Sequence, residues 1–210
     1  MLVARDGALV VGNWRGVWRA VPQYHNIFVA AYREDLFKKA SLKGPDTWED
    51  LYVVGKELKK MGNPVGIPIS QNYDSISTAG PVLWSFGGME VDKDGKTIRI
   101  NAPATEQMIE WYKKMYRDCM EPEVLSWSDA SNNESIQQGK AGWIHNPVSA
   151  YIIAKKRKLV TADRLSRIVA TTSSTGGGAY GACAPASVRR AFSTIDSDGM
   201  PPMSKICDQR

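Results

Sequence analysis

Short apolar runs alternate with amphipathic helical stretches along most of this 210-residue chain, and this alternation limits the possible folds strongly. The apolar runs over 27–32, 65–69 and 141–145 have the length of buried strands. None approaches the roughly 20 apolar residues that a membrane-spanning helix needs. Strands that alternate with helices predict an α/β layer structure.

The clearest helix prediction begins at Thr47. Thr47 is a suitable N-cap, and Glu49 and Asp50 put negative charge in the first turn, where the helix dipole favours it. Gly62 ends the apolar spacing of this helix. The pattern also predicts a turn at Gly12-Asn13, a strand over 65–69, a hairpin over 91–100, a strand over 141–145, and helices over 34–40, after 70–75, from Pro103, over 133–138 and from the N-cap Asn146 with Pro147 through Ile152.

Basic residues are concentrated towards the C-terminal end. Residues 155–210 carry ten basic and four acidic side chains, whereas the whole chain has a net charge of only +5. The run Lys155–Lys158 therefore raises a nucleic-acid-binding alternative, in which these cations contact phosphates. The other interpretation is a solvated helix end whose cations suit the dipole, and we favour it because no DNA-reading motif accompanies the run.

No motif commits the chain to catalysis. The three cysteines are too scattered for a disulfide scaffold or a zinc site, and the phosphate-binding, nucleophile-elbow and metalloprotease motifs are absent. His25 with Asp74 is the single candidate pair for an enzyme alternative. We therefore predict no enzyme activity, no cofactor and no metal site. Asp6 and Gly7 interrupt the N-terminal apolar residues, so no signal peptide is predicted.

Polar and aromatic residues gather where predicted strands end and helices begin. In open α/β sheets this is where ligands bind. Neutral amides, carboxylates and aromatic faces suit a polyhydroxy ligand. The alternative is structural: Ser77, Asn133 and Asn146 as helix caps, His145 as a buried histidine, and the helical tryptophans as core. The polar and aromatic residues at these junctions are Tyr24, His25, Asn26, Asn72, Tyr73, Asp74, Ser77, Asp129, Asn132, Asn133, Trp143, His145 and Asn146.

Four ordered segments carry a family resemblance. Val21-Pro22 followed by 32–40, the helix start 45–51, the helix end 84–88, and Asn132 to Pro147 resemble segments of family 1 extracellular solute-binding proteins. These are the substrate receptors of carbohydrate ABC importers, the maltose-binding branch among them. The resemblance covers about residues 12–157.

The resemblance implies a periplasmic-binding-protein-like type II α/β fold. Family members are typically about twice this length, so we expect mainly the second lobe plus a hinge, with the first lobe largely missing. Residues 1–25 would be the end of the first lobe and the hinge crossing, 26–157 the second lobe, and 158–210 a divergent, partly disordered tail or return hinge. A truncated fragment without function is the other alternative.

The implied function is solute binding without chemistry. The chain would bind a sugar or similar solute in the cleft between two lobes and deliver it to permease subunits, as a periplasmic or extracellular monomer that binds no nucleic acid. An isolated second lobe supplies half the contacts, which predicts weak or absent affinity. Position by position, the implied contacts are Asp74 and Ser77, the Asn132-Asn133 doublet through Asn133, Asn146, and Tyr24 and Asn26 of the crossing segment. The maltose-binding branch has a stacking tryptophan after its Asn-Gly-Pro turn; Val148 and Ser149 follow here, so Trp143 is the substitute candidate.

Overall fold

The computed structural model describes residues 13–14, 16–19, 28–92 and 94–168. The chain divides into two compact units, Met1–Ile27 with Arg190–Arg210, and Phe28–Arg189. The predicted contacts Tyr24 and Asn26, and His25 of the enzyme alternative, lie outside the described residues, as does most of the predicted tail.

The described part of the first unit is a short hairpin. Strand β1 (Asn13–Trp14) pairs antiparallel with β2 (Val17–Trp18). Gly16 lies in the connection at a φ of +80°, a left-handed conformation that glycine adopts without strain. The predicted turn at Asn13 is therefore wrong, because Asn13 pairs with Trp18 within the strand ladder.

A four-stranded mixed sheet forms the centre of the second unit. Its strands are β3 (Phe28–Arg33), β4 (Val65–Gly66), β5 (Trp143–Pro147) and β6 (Leu165–Ile168). The order is β4-β5-β3-β6, with β4 parallel to β5, and β3 antiparallel to both β5 and β6. Strand β6 follows the predicted lobe boundary at residue 157, so the sheet includes residues beyond that boundary.

Three predictions of β-structure need correction in their bounds. The strand predicted over 141–145 runs instead over Trp143–Pro147. The strand predicted over 65–69 ends at Gly66, and Ile69 instead donates its backbone N–H to the Val124 carbonyl at 2.9 Å. Pro68 has no N–H to offer a sheet, which explains the early end. The hairpin predicted over 91–100 reduces to an isolated antiparallel bridge between Val91 and Ile98.

Helices cover the sheet, and three of them begin where the sequence predicts, at Glu34, Trp48 and Pro103. The helices predicted after 70–75 and over 133–138 begin earlier, at Tyr73 and Ser131. In the second helix, Thr47 Oγ1 accepts from the Asp50 backbone N–H at 3.0 Å, and Asp50 Oδ2 accepts from the Thr47 N–H at 3.0 Å, which completes a capping box. The helices are α1 (Glu34–Lys39), α2 (Trp48–Lys60), α3 (Tyr73–Ser85), α4 (Pro103–Cys119), α5 (Ser131–Gln137) and α6 (Ser149–Lys156), with 3₁₀ turns at Pro122–Leu125 and Ala162–Arg164.

The sheet separates two hydrophobic cores. Side chains alternate between the two faces of a strand, so Ala30 and Trp143 enter one core and Ala31 and Ile144 the other. The first core contains residues of α2, α3 and α4, and the second contains residues of α5 and α6. This three-layer arrangement is the predicted α/β architecture.

The helical tryptophans divide between core and surface. Trp48 and Trp111 are buried as predicted, with the Trp111 Nε1–H donating to the Trp48 carbonyl at 3.0 Å. Trp84 is 37% exposed and donates its Nε1–H to Glu90, so its assignment to the core is wrong. Trp84 lies near the C-terminal end of α3, and its side chain is partly exposed to solvent.

The predicted helix caps Asn146 and Ser77 are wrong. Asn146 pairs with Val29 inside β5, because the antiparallel ladder with β3 continues through Pro147. Helix α6 begins at Ser149 instead. Ser77 lies within α3, whose N-cap is Asn72, and Asn133 lies within α5 rather than before it.

Candidate functional site

A buried polar cluster lies where β5 ends and α3 begins. We call Asp74, Asn132, Asn133 and Asn146 the amide–carboxylate cluster. The Asn132 side-chain Nδ2 donates to Asp74 Oδ2 at 2.9 Å, and lies 3.3 Å from the His145 carbonyl and 3.4 Å from Asn146 Oδ1. Asn132 has no exposed surface, so it joins the start of α3 to the end of β5 from inside.

The cluster continues from this buried centre towards the surface. The Asn133 backbone N–H donates to Asn132 Oδ1 at 2.7 Å, and the Asn146 side-chain Nδ2 donates to Asn133 Oδ1. Asn146 is buried, whereas Asn133 is half-buried. The cluster therefore presents Asn133 as its outer amide.

Asp74 is a buried carboxylate without a basic partner among the described residues. It is only 4% exposed, and its backbone N–H donates to Asp129 Oδ1 at 3.1 Å. Burial raises the pKa of Asp74, the hydrogen bond from Asn132 opposes that rise, and the negative charge of Asp129 adds to it. A carboxylate in this setting suits a neutral hydrogen-bond donor such as a hydroxyl group.

His145 is a structural histidine, as the sequence interpretation held. Its Nδ1 lies 3.0 Å from Thr78 Oγ1, and the Thr78 hydroxyl donates to the Asp74 carbonyl at 2.9 Å. A hydroxyl group has one proton to donate, so this geometry assigns an Nδ1–H tautomer in which His145 donates to Thr78. Burial lowers the pKa of His145 to about 4, so the ring is neutral near pH 7.

An aromatic pair borders the cluster. Tyr73, which directly precedes Asp74, is 58% exposed, and its ring centroid lies 6.0 Å from that of the half-buried Phe28. Phe28 in turn lies 5.5 Å from the His145 ring. The predicted contacts omit Tyr73. Its position directly before Asp74 in the sequence was the signal that could have identified it.

The structure brings three predicted contacts together and separates two. Asp74, Asn133 and Asn146 belong to the amide–carboxylate cluster. Ser77 lies within α3 and is half-buried, with no hydrogen bond to a described residue of the cluster.

The prediction of Trp143 as a stacking ring is wrong, because its side chain is fully buried in the first core. Residues 143 and 145 point to the same side of β5, and their rings stack 6.3 Å apart.

A concavity lies away from the cluster, near the residues that precede β4 and β5. It is a groove of about 560 Å³ between β4 and α5, with Trp127, Glu134 and Lys140 among its lining residues. It shares no residue with the amide–carboxylate cluster.

Other kinds of site find no support in the described ranges. Within them, no three His, Cys, Asp or Glu side chains come together as a metal site would require. No helix there combines the length and apolarity that crossing a membrane demands. Cys119 is a free, buried thiol, and burial raises its pKa to about 12, which makes it unreactive near neutral pH.

The basic run 155–158 forms the end of α6 and the residues after it. Lys155 and Lys156 occupy the last turn, all four side chains are exposed, and the Lys155 ammonium lies 5.6 Å from the Tyr151 ring centroid. Cations in this position stabilise the helix dipole, in agreement with the interpretation of a solvated helix end.

Comparison with known proteins identifies the class. Residues 2–178 match the family model of the bacterial extracellular solute-binding proteins. This match covers most of the chain, and the chain belongs to that family. No curated protein sequence matches it.

Solved structures show the same fold. Maltose-bound MalE3 of T. maritima superposes with a TM-score of 0.74 at 19% identity, over 81% of this chain and 44% of that one. The ribitol complex of an ABC transporter solute-binding protein from Agrobacterium radiobacter K84 gives 0.70 at 22% identity, over 84% and 48%. The D-mannitol complex from Agrobacterium vitis S4 gives 0.67 at 21% identity, over 77% and 40%. The predicted periplasmic-binding-protein-like fold is confirmed, and the chain spans less than half the length of these structures.

Proposed function

We propose that this chain binds a neutral polyhydroxy solute, a sugar or sugar alcohol, as part of the substrate-binding component of an ABC importer. The observation that carries the proposal is the amide–carboxylate cluster with Tyr73 beside it. The solute is delivered to permease subunits of the membrane, and the site of action is the periplasm or the cell exterior. The chain acts as a monomer.

The chemistry of the cluster supports this solute class. A hydroxyl group both donates and accepts hydrogen bonds, so a carboxylate and an amide side by side satisfy it. No described cation pairs with Asp74, which disfavours an anionic solute at this position. The exposed Tyr73 ring offers an apolar surface of the kind that the C–H face of a sugar needs.

The family and its structures support the same class. The chain belongs to the extracellular solute-binding proteins, and structures of similar fold are described with maltose, ribitol and D-mannitol. Those ligands belong to those proteins. What they share is a set of adjacent hydroxyl groups and no charge, and this is the chemistry we assign to the solute here.

The remaining predicted contacts complete the proposal. Asp74, Asn133 and Asn146 hold the solute from the second lobe, with Ser77 on the following turn of α3. Tyr24 and Asn26 contribute from the crossing segment. The proposed division is 1–25, 26–157 and 158–210, and within 158–210 the strand β6 joins the sheet of the second lobe by pairing with β3. Lobe closure around the solute creates the surface that the permease recognises.

An interlobe cleft divides its contacts between two lobes, and the chain spans less than half the length of the matched structures. We therefore expect weak binding, with a dissociation constant of about 1 mM, equivalent to about −4 kcal/mol. Tight binding would contradict the assignment of half the contacts to another lobe.

Titration by ¹H–¹⁵N NMR tests the function. Maltose, D-mannitol and ribitol are added separately to the labelled chain, and we expect the side-chain amide signals of Asn133 and Asn146 to shift with at least one. Asn63 is the internal control, because its side-chain amide donates to the Gly139 carbonyl at 2.6 Å, away from the cluster. The proposal fails if Asn133 and Asn146 do not shift with any of the three, or shift no more than Asn63.

A further inference from the structure

We propose that Asn132 is a positioning residue, which fixes the orientation of the Asp74 carboxylate and of the Asn146 amide, and through Asn146 that of the outer Asn133 amide, for binding of the solute. The inference rests on the proposed function, because it concerns how the proposed solute-binding groups are held. Asn132 itself has no exposed surface, so it acts through its neighbours rather than by contact with a solute.

The Asn132 side chain uses its hydrogen-bonding capacity inside the protein. Its Nδ2 group carries two hydrogens and faces three acceptors, Asp74 Oδ2 at 2.9 Å, the His145 carbonyl at 3.3 Å and Asn146 Oδ1 at 3.4 Å. Its Oδ1 accepts from the Asn133 backbone N–H at 2.7 Å. The amide therefore meets acceptors on one side and a donor on the other.

This surrounding permits a single orientation of the amide. If the Asn132 amide turned over, its oxygen would face three oxygens and its NH₂ group would face the Asn133 N–H. Acceptors would then oppose acceptors in a site without water access, where an unpaired polar group costs about 1–3 kcal/mol by mutational data. The fixed backbone of β5 and α5 thus determines which atom Asn132 offers to Asp74.

The orientation passes on to the neighbouring side chains. Asn146 has its Oδ1 directed at the Asn132 donor and its Nδ2 directed at Asn133 Oδ1, so its own amide is determined from both sides. Asp74 has Oδ2 occupied by Asn132, and its Oδ1 makes no hydrogen bond to a described residue. The cluster thereby offers the Asp74 Oδ1 acceptor and the outer Asn133 NH₂ donor. Because the positions of this acceptor and this donor are fixed, they favour a solute whose hydroxyl groups present a donor and an acceptor in matching positions.

The alternative is that Asn132 only fills space and stabilises the fold. The two roles differ in what they do to Asp74 and Asn146, so the replacement Asn132→Leu separates them: it preserves size and removes every hydrogen bond. The matched control is Gln137→Met. Gln137 is a buried amide on the same helix, and its Nε2 donates to the Ala150 carbonyl at 3.0 Å in the second core, away from Asp74.

The experiment is an NMR titration of the full chain without solute. We follow the Asp74 carboxyl carbon against pH and the side-chain amide signals of Asn146. In Asn132→Leu we expect the Asp74 midpoint to move to higher pH, because the hydrogen bond that opposes the effect of burial is lost, and the Asn146 amide to show more than one environment. In Gln137→Met both readouts keep their wild-type values although stability falls.

Wild-type values of both readouts in Asn132→Leu overturn the proposal, and so does an equal change in Gln137→Met. Should Asn132→Leu not fold, Asn132→Ser, which retains a shorter donor, takes its place with a smaller shift in the same direction. The wild-type chain provides a further test, because positioning requires a single, slowly exchanging Asn146 amide environment, and several environments there contradict it. No solute is present, so failure of these readouts is distinct from failure to bind maltose, D-mannitol or ribitol.

Discussion

The Nδ1 atom of His145 lies 3.0 Å from the Oγ1 atom of Thr78, in a part of the core closed to solvent. The Thr78 hydroxyl has its proton directed at the Asp74 carbonyl, so His145 is the donor in this contact. Burial lowers the folded-state pKa of His145 to about 4, which keeps the ring neutral near pH 7 and predicts a pH dependence of stability.

The sign follows from proton linkage. In the unfolded chain a histidine binds a proton at about pH 6.5, whereas folded His145 does so at about 4, so stability falls as pH falls between these values. The full difference is about 3 kcal/mol. Asp74 acts in the opposite direction, because its raised pKa lets the folded state bind a proton first as pH falls, and Asp129 contributes to that rise.

Urea unfolding at pH 7, 5.5 and 4.5 measures the dependence. We expect His145→Gln to remove most of the loss below pH 6.5, and His25→Gln, which changes the only other histidine, to retain it. A loss that persists in His145→Gln and disappears in His25→Gln would contradict the assignment.

Asp74→Asn is expected to stabilise the chain and weaken solute binding. The replacement keeps an acceptor for Asn132 and removes a charge that burial disfavours, so we expect a gain of about 1 kcal/mol in unfolding free energy at pH 7. Chemical denaturation measures the gain, and NMR titration with maltose, D-mannitol and ribitol measures the loss. Asp163→Asn, at an exposed carboxylate, is the control and should change stability by less than about 0.5 kcal/mol. Destabilisation by Asp74→Asn would show that the carboxylate is needed for folding.

The sequence predicted the architecture well because its signals were local. The capping pair Thr47 and Asp50 acts within one helical turn, and the apolar run of β3 is readable from the side-chain pattern alone. Asn146 was misassigned because two influences compete there. Asn-Pro favours a helix start locally, but the pairing of Asn146 with Val29, distant in sequence, prevails in the folded chain.

The candidate site was partly predictable for the same reason. Asp74, Asn133 and Asn146 follow from the positions of strand ends and helix starts, whereas the central role of Asn132 depends on three contacts with residues 13 to 58 positions away. The burial of Trp143 depends on which side of β5 faces the first core, and the short apolar run did not determine that register.

A matched pair of glycine replacements tests the packing of the sheet. In Gly142→Ala the new Cβ would lie 2.7 Å from the Asn63 carbonyl oxygen and 3.0 Å from Leu58, so backbone must move and we expect a loss of about 1–3 kcal/mol. Gly80→Ala meets its nearest atom outside its chain neighbours, on Trp84, at 3.4 Å within α3, but Gly80 directly precedes Pro81, whose ring crowds a Cβ at this position of a helix. This contact opposes the gain in helix propensity, so we expect Gly80→Ala to change stability by less than about 1 kcal/mol. Urea unfolding of both variants checks the prediction, which equal effects would contradict.

The basic run is expected to bind no nucleic acid at physiological salt. Lys155 and Lys156 lie in the last turn of α6, where they stabilise the helix dipole, and the sequence shows no DNA-reading motif. A gel-shift assay with labelled duplex DNA at about 150 mM salt measures this, and weak retention should disappear as salt is raised. Retention that survives at that salt and is lost when Lys155 and Lys156 are replaced by Gln would favour the nucleic-acid alternative.

Tyr73→Ala is expected to reduce solute binding with little effect on folding. The ring is 58% exposed beside Asp74, so its removal uncovers little of the core but takes away the apolar surface that we assign to the solute. We expect the maltose-, D-mannitol- or ribitol-induced shifts of Asn133 and Asn146 to require at least a several-fold higher concentration. Stacking contributions of about 1 kcal/mol correspond to such a change. Ile76→Ala is the matched control, because Ile76 is 72% exposed on the same helix and should leave the titration unchanged. Equal responses of the two variants would mean that the solute, if bound, does not use the Tyr73 ring.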